Sequence, residues 1–335
     1  MPDISLRLNK DMLVVSSPID ALLERAGVDI DRDLEYLALM EPETLADALG
    51  MEHAVGANCL VTPTAGITPA RLTHRRMEND APAIAKAAVA AAAQHHPQHI
   101  LAEIGPCQLP LDPSSKNSLK ENAQQYQRAC AVFAGLPVDA FFFNGFTHVA
   151  DVVCALEGAA QAAIQVDDAA PQNDAPREEL PASLFFPGLE GADDAQAENA
   201  TASSIPAFVS VVVNEQGTMP DGATLEDAAQ AAQKAGALVF GFETEADADT
   251  AAQLAKRACN ACDIPLLVQL RVGQVEPKRA EPTPDNPYCR PDIMVSAAAK
   301  VYAAGAQFVR AAGAATPAYT GALMATLSGL DVRRA

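Results

Sequence analysis

Eight short runs rich in β-branched and aromatic residues recur along this 335-residue chain, and alanine-rich stretches of helical length separate them. That alternation constrains the fold more than any other feature, because strands that alternate with helices pair in parallel through right-handed crossovers. The runs predict strands at Met12–Ser16, Asn58–Thr62, Ile100–Gly105, Ala140–Phe146, Ala207–Val213, Leu238–Phe242, Pro265–Arg271 and Gln307–Ala311. Helices are predicted between them, among others at Ala81–His96, Ser118–Phe133, His148–Ile164, Leu225–Ala235, Asp247–Cys262 and Asp292–Ala304. Eight β/α units are what a closed α/β barrel, the (β/α)8 TIM barrel, requires of a single domain. A doubly wound open sheet is the alternative. It more often opens with a GxGxxG turn after the first strand, and this chain has none. A local idiom also repeats at Val55-Gly56-Ala57, Ala235-Gly236-Ala237 and Ala304-Gly305-Ala306, where a glycine closes a helix just before a strand begins.

The balance of charge narrows the partners. A formal net charge of −20 leaves no clustered basic surface for a phosphate backbone, so a nucleic-acid partner is not expected. No apolar run approaches the ~18 residues that a membrane-spanning helix needs. The opening MPDISLRLNKDMLVV lacks the basic and apolar regions of a signal peptide. Seven cysteines, scattered and odd in number, fit reduced thiols better than a disulfide framework. A cytoplasmic protein is the expectation, and the Asn199-Ala200-Thr201 sequon then carries no meaning.

One segment breaks the rhythm. Residues Gln165–Ser204, acidic and rich in alanine and proline, fall between the fourth helix and the fifth strand. They predict a flexible, solvated low-complexity insertion at the bottom of the barrel. Phe185 and Phe186 leave open a partner-docking loop.

A series of motifs then runs in order along the chain. Pro42-Glu43-Thr44-Leu45 and AVGANCLVTPT at Ala54–Thr64 come first, followed by Ile104-Gly105-Pro106, Tyr126 and Val138-Asp139-Ala140. PAFVSVVVNEQGTMPDGATL at Pro206–Leu225 and FVRAAGAATPAYTGAL at Phe308–Leu323 complete the series. In order and spacing over most of the chain it resembles the homocysteine S-methyltransferase family, whose last strand and turn read roughly GGCCGTTP. The resemblance implies a TIM barrel and a place in methionine biosynthesis. It implies transfer of a methyl group to homocysteine sulfur, the thiol being activated by a zinc ion held on three cysteine thiolates at the C-terminal mouth. Carried onto this sequence, the three cysteine positions are Thr244, Ala312 and Gly313, and none supplies sulfur. The family's Asp-Gly after the first strand falls near Ser16-Ser17-Pro18, the carboxylate ending the fourth strand is Asn144, and the segment after the seventh reads Leu270-Arg271-Val272-Gly273. No cofactor is therefore expected, and in particular no zinc at the family's positions.

The residues left at the predicted mouth are Asn144, His148, Glu243, Thr244, Arg271 and Arg310. Three readings of them stand side by side. Glu243 with the two arginines makes an ion-pair network that plugs a vacated pocket. Alternatively, Arg271 and Arg310 form a fork for a small anionic molecule or an amino acid. In the third, Cys107, His148 and Cys289, with Glu243, form a relocated metal site. Cys259 and Cys262 make a CxxC with no second pair, and His95, His96 and His99 sit at the predicted bottom, so structural roles are expected for all five. As function, the sequence predicts a noncatalytic binding or partner subunit, a pseudoenzyme beside an active methyltransferase or a corrinoid protein. The alternative is an enzyme with a new chemistry on an anionic substrate.

Overall fold

The computed structural model describes residues 3–169, 205–274 and 281–333. Eight parallel strands close into a barrel in sequence order, β1 to β8. They are β1 Leu13–Val15, β2 Cys59–Val61, β3 His99–Ile104, β4 Ala140–Phe146, β5 Ala207–Val212, β6 Val239–Thr244, β7 Leu266–Val272 and β8 Phe308–Gly313. The ring closes through β8 on β1, with Leu13 opposite Phe308 and Val15 opposite Arg310. Each predicted strand is present, shifted by a few residues at most.

Eleven α-helices surround the described barrel: α1 Asp20–Arg25, α2 Ile30–Met40, α3 Pro42–Ala54, α4 Pro69–Thr73, α5 Ala81–Ala93, α6 Lys116–Ala131, α7 Val149–Ala169, α8 Leu225–Lys234, α9 Ala248–Ala261, α10 Pro291–Ala303 and α11 Pro317–Leu327. Local chemistry sets their ends. Thr224 and Asp227 form a reciprocal capping box at α8, and Asp247 accepts from the Asp249 and Thr250 amides to start α9. The repeated idiom behaves as expected, since Gly56, Gly236 and Gly305 have φ of 99°, 94° and 104°. Helix α7 continues through Ala169, so the first five residues of the predicted insertion are helical; the remainder, 170–204 with Phe185, Phe186 and the Asn199 sequon, lies outside the described residues. At the contact of α6 with α7, a Cβ on Gly158 would stand 2.6 Å from the Ala123 carbonyl oxygen and 2.7 Å from the Gln127 amide nitrogen. Only glycine lets these two backbones approach so closely. No helix among the described residues is long and apolar enough to cross a membrane.

The barrel interior changes character along its axis. Its lower part is filled by Leu13, Val15, Leu101, Phe142, Phe208, Leu267 and Phe308, and Ile4 of a 3-10 turn at Ile4–Arg7 packs into the same cluster. Side chains of a strand alternate, so the next inward positions lie two residues on, toward the C-terminal mouth. There Leu101 gives way to Glu103, Phe142 to Asn144, Phe208 to Ser210, Leu267 to Gln269 and Phe308 to Arg310. Five strands make the same switch from apolar to polar at one level.

Candidate functional site

That level forms a closed polar ring. Arg310 is 1% exposed; its Nε donates to the Ser16 carbonyl at 2.8 Å and its Nη1 to Gln269 Oε1 at 3.1 Å. Gln269 Nε2 donates to Asn144 Oδ1 at 2.7 Å and to Ser210 Oγ at 2.6 Å. Asn144 Nδ2 donates to Glu103 Oε1 at 2.6 Å, and Glu103 returns to Arg310 Nη1 at 3.7 Å. Each amide passes a donor onward from the guanidinium to the carboxylate, which fixes both amide orientations. The ring lies on the apolar floor, with the Arg310 guanidinium 5.3 Å from the centroid of Phe142.

Above it, Arg271 is the divider of the mouth. Its Nη1 donates to Glu243 Oε1 at 2.8 Å, and its Nε lies 3.2 Å from Glu245 Oε1. On one side is a cavity of about 390 Å³ between the ends of β5, β6 and β7, lined among others by Asn214, Glu215, Met219 and Thr244. On the other is a cavity of about 340 Å³ reaching Asp20, Glu24, Gly273 and Gly313. Arg271 and Glu245 line both. Asp20 opens α1 just beyond β1, and its carboxyl is pushed up to about 6. Burial is the main cause, and Glu103 adds to it while Arg310 opposes it.

The sequence-predicted residues divide accordingly. Asn144 and Arg310 belong to the ring, whereas Glu243, Thr244 and Arg271 line the mouth. The predicted plug is therefore two networks: Arg271 pairs with Glu243, and Arg310 with Glu103. The fork of Arg271 and Arg310 for an anion is not assembled, because Arg310 spends its donors inside the barrel and Arg271 is held by two carboxylates. His148 is exposed, bonds the Thr147 hydroxyl at 2.9 Å and lines neither cavity. Cys107 is buried behind β3, its Sγ donating to Asn122 Oδ1 at 3.0 Å, with burial pushing the thiol up. Cys289 is buried before α10. No group of three histidine, cysteine or acidic side chains among the described residues is disposed to hold a metal, so the relocated site of Cys107, His148 and Cys289 does not form. Cys259 and Cys262 lie at the end of α9, at the bottom face as expected, with burial first raising the Cys259 thiol to about 11.

Glu103, Gln269, Ser210, Asp20 and Glu245 fall in none of the sequence motifs that point to the mouth, apart from Ser210 within Pro206–Leu225. The signal for the first three was the period of two: Gln269 and Arg310 follow Leu267 and Phe308 on the inward face, as Glu103 follows Leu101.

The family's zinc is tested by the residues standing in its place. Thr244 is 1% exposed, and its hydroxyl oxygen accepts from the Ala246 amide at 3.2 Å. Ala312 offers a methyl group. Gly313 has φ of 65°, and a Cβ there would stand 2.5 Å from the Val272 carbonyl oxygen and 2.9 Å from Arg271 Cγ. These positions do not fit a zinc ion, because the chemistry of the donor set is wrong and the third position has no room for a side chain.

Behind β1 a second buried acid ties the first strand to the last helix. Glu52 Oε2 accepts from the Thr320 hydroxyl at 2.6 Å and the Ser17 amide at 3.1 Å, while Oε1 has no partner among the described residues. Burial pushes its carboxyl up to about 7 from 4.5. A carboxyl whose pKa rises on folding stabilises fully below its unfolded value, and that stability is lost as pH rises through the folded value. Between about pH 5 and about pH 8 the protein is expected to lose on the order of 2 kcal/mol through this group. Glu52→Gln, compared with the parent in urea melts at the two pH values, should remove that loss. An unchanged pH dependence would exclude Glu52 as its source.

A closed (β/α)8 barrel with two adjoining cavities at the C-terminal ends of its strands is the class that fold and site define. Residues 20–324 match the profile of the homocysteine S-methyltransferase family, and the chain belongs to that family. Among solved structures it is similar to the homocysteine methyltransferase MmuM from Escherichia coli in three forms. The metallated form gives a TM-score of 0.67 at 14% identity, covering 94% of this chain and 96% of that one. The oxidized form gives 0.70 at 14%, covering 96% and 99%, and the apo form 0.63 at 13%, covering 96% and 99%. At such identity the likeness concerns the fold. Curated protein sequences give no match.

Proposed function

We propose that this member of the homocysteine S-methyltransferase family has given up zinc-dependent transfer to a thiol. It acts as a noncatalytic binding component of methyl-transfer metabolism, with a small polar molecule held at the barrel mouth. The observation that carries this reading is the state of the three thiolate positions: a threonine whose hydroxyl caps its own turn, an alanine, and a glycine with no space for a side chain. The Arg271–Glu243–Glu245 cluster beside them supports it, since it brings a guanidinium to the mouth where a dication would otherwise sit. A partner such as an active methyltransferase or a corrinoid protein would complete the chemistry. The competing reading, an enzyme acting on a small anionic substrate through Arg271 and Arg310, has less support because both guanidiniums are already paired.

Protein purified under reducing conditions is expected to contain no stoichiometric zinc by mass spectrometry, and homocysteine is expected to leave its melting temperature unchanged. One zinc per chain, or a homocysteine-dependent rise in melting temperature, would overturn the reading.

A further inference from the structure

We propose that Glu52 is a proton switch for the polar ring, coupled to Arg310 through the single peptide group between Ser16 and Ser17. The carbonyl of that group accepts from Arg310 Nε at 2.8 Å, and its amide donates to Glu52 Oε2 at 3.1 Å. Guanidinium and carboxylate thus stand at the two ends of one peptide dipole, and each strengthens the bond that the other makes. Both side chains are buried, Arg310 at 1% exposure and Glu52 at 0%. Water screens little of what passes between them.

Glu52 is the member that gains and loses a proton. Oε1 is buried without a partner among the described residues, so the ionised carboxylate is satisfied on one oxygen only. Burial pushes the carboxyl up to about 7, against the bonds from Thr320 and Ser17 and the charge of Arg310. Oε2 ends a hydroxyl chain, with Thr320 Oγ1 at 2.6 Å and Ser17 Oγ 2.8 Å beyond it. In the ionised state Ser17 donates to Thr320 and Thr320 to the carboxylate. In the neutral state the acid proton lies on Oε2 and donates to Thr320, and the chain runs the other way. The Ser17 amide, which also reaches Thr320 Oγ1 at 3.2 Å, then loses its charged acceptor. The Ser16 carbonyl holds Arg310 less strongly as a result.

Among the described residues, Arg310 of β8 is the one charge that acts on Glu52. The other titratable side chains described on the elements packed against α3 are Tyr319 on α11, Cys59 on β2, Lys86 on α5 with His95 beyond it, and Glu35 and Tyr36 on α2. His95 is bonded to the Ala46 carbonyl, and Glu35 is paired with Arg75. On α3 itself Glu43 and Asp47 are exposed, and His53 stacks on His95. Arg310 acts on a second acid, Asp20, whose carboxyl burial holds at about 6.

The test uses the full chain, labelled for the acidic carboxyl carbons and the arginine Nε nitrogens, and followed by NMR from about pH 5 to about pH 9. The Arg310 Nε–H signal should take one step with the Asp20 carboxyl and a second with that of Glu52. Glu52→Gln should abolish the second step and keep the first. Thr320→Val removes a donor to the charged form, so it should weaken the Glu52 acid at least about threefold. The second Arg310 step should then move to higher pH with it. If Glu52→Gln fails to fold, the titrations of the parent and of Thr320→Val suffice. The switch is refuted by an Arg310 signal that stays flat while Glu52 titrates, the result that a carboxyl merely clamping β1 to α11 would give. A Glu52 carboxyl that keeps one state across the range refutes it equally, as does a second step that survives in Glu52→Gln.

Discussion

Arg310→Met is expected to cost the fold roughly 3 to 5 kcal/mol, the usual range when one partner of a buried, hydrogen-bonded charge pair is removed. The substitution keeps most of the volume and removes every donor. Gln269 Oε1 and the Ser16 carbonyl then lose their partners inside the barrel, and Glu103 loses the guanidinium 3.7 Å away. Arg310→Lys should recover only part of the loss, because a single ammonium cannot serve Ser16 and Gln269 in the directions the fork does. Urea midpoints at constant slope measure both effects. Glu103→Gln in the Arg310→Met background should cost less than the sum of the two single changes, since the charge it removes is already unpaired. A Met variant within about 1 kcal/mol of the parent would mean that the ring is ornamental to stability.

The barrel itself was legible because its signal is repeated eight times: each β run, each helix and the glycine joints at Gly56, Gly236 and Gly305 agree with one architecture. The predicted helix at His148–Ile164 fell short of the end of α7 because the alanine-rich segment offers no breaker before Ala169. The site was harder to read. Motif resemblance points to the ends of strands six, seven and eight, where Glu243 and Arg271 line the mouth and Arg310 lies in the ring below. It overlooked Glu103, because the motif there begins at Ile104, and it treated Arg271 and Arg310 as a pair although they occupy successive levels. Arg310 lies level with Gln269 across β7 and β8, while Arg271 lies level with Ala312. Sequence spacing identifies which residues face inward, but the pairing of charges depends on register between strands, which no single segment contains. The candidate metal ligands show the same limit: Cys107, His148 and Cys289 have suitable ligand chemistry, and the chain carries them to different places.

The second large expected effect concerns restoring sulfur to the mouth. Gly313→Cys alone should destabilise the barrel by about 2 to 4 kcal/mol, more than a change from glycine to a small side chain usually costs. Part of this is the left-handed backbone at φ of 65°, which a residue with a Cβ adopts at a penalty of about 1 to 2 kcal/mol. The larger part is the Val272 carbonyl oxygen, 2.5 Å from where the Cβ must go. That oxygen accepts the Ala314 amide at 2.9 Å and belongs to a strand held on both sides, so it cannot retreat cheaply. Ala312→Cys, pointing from the same strand without that obstruction, should cost much less. The triple change Thr244→Cys, Ala312→Cys and Gly313→Cys should therefore fail to hold zinc tetrahedrally, even with three thiols present in sequence. Arg271 still stands beside the site with Glu243 and Glu245, and a dication would have to displace its charge before three thiolates could converge. Metal analysis of the triple variant, with cobalt as a spectroscopic stand-in for thiolate coordination, decides the matter. A stoichiometric tetrahedral thiolate site in that variant would mean that only the ligands were lost. Its absence, together with partial recovery when Arg271→Ala is added, would mean that the mouth was rebuilt around a different occupant.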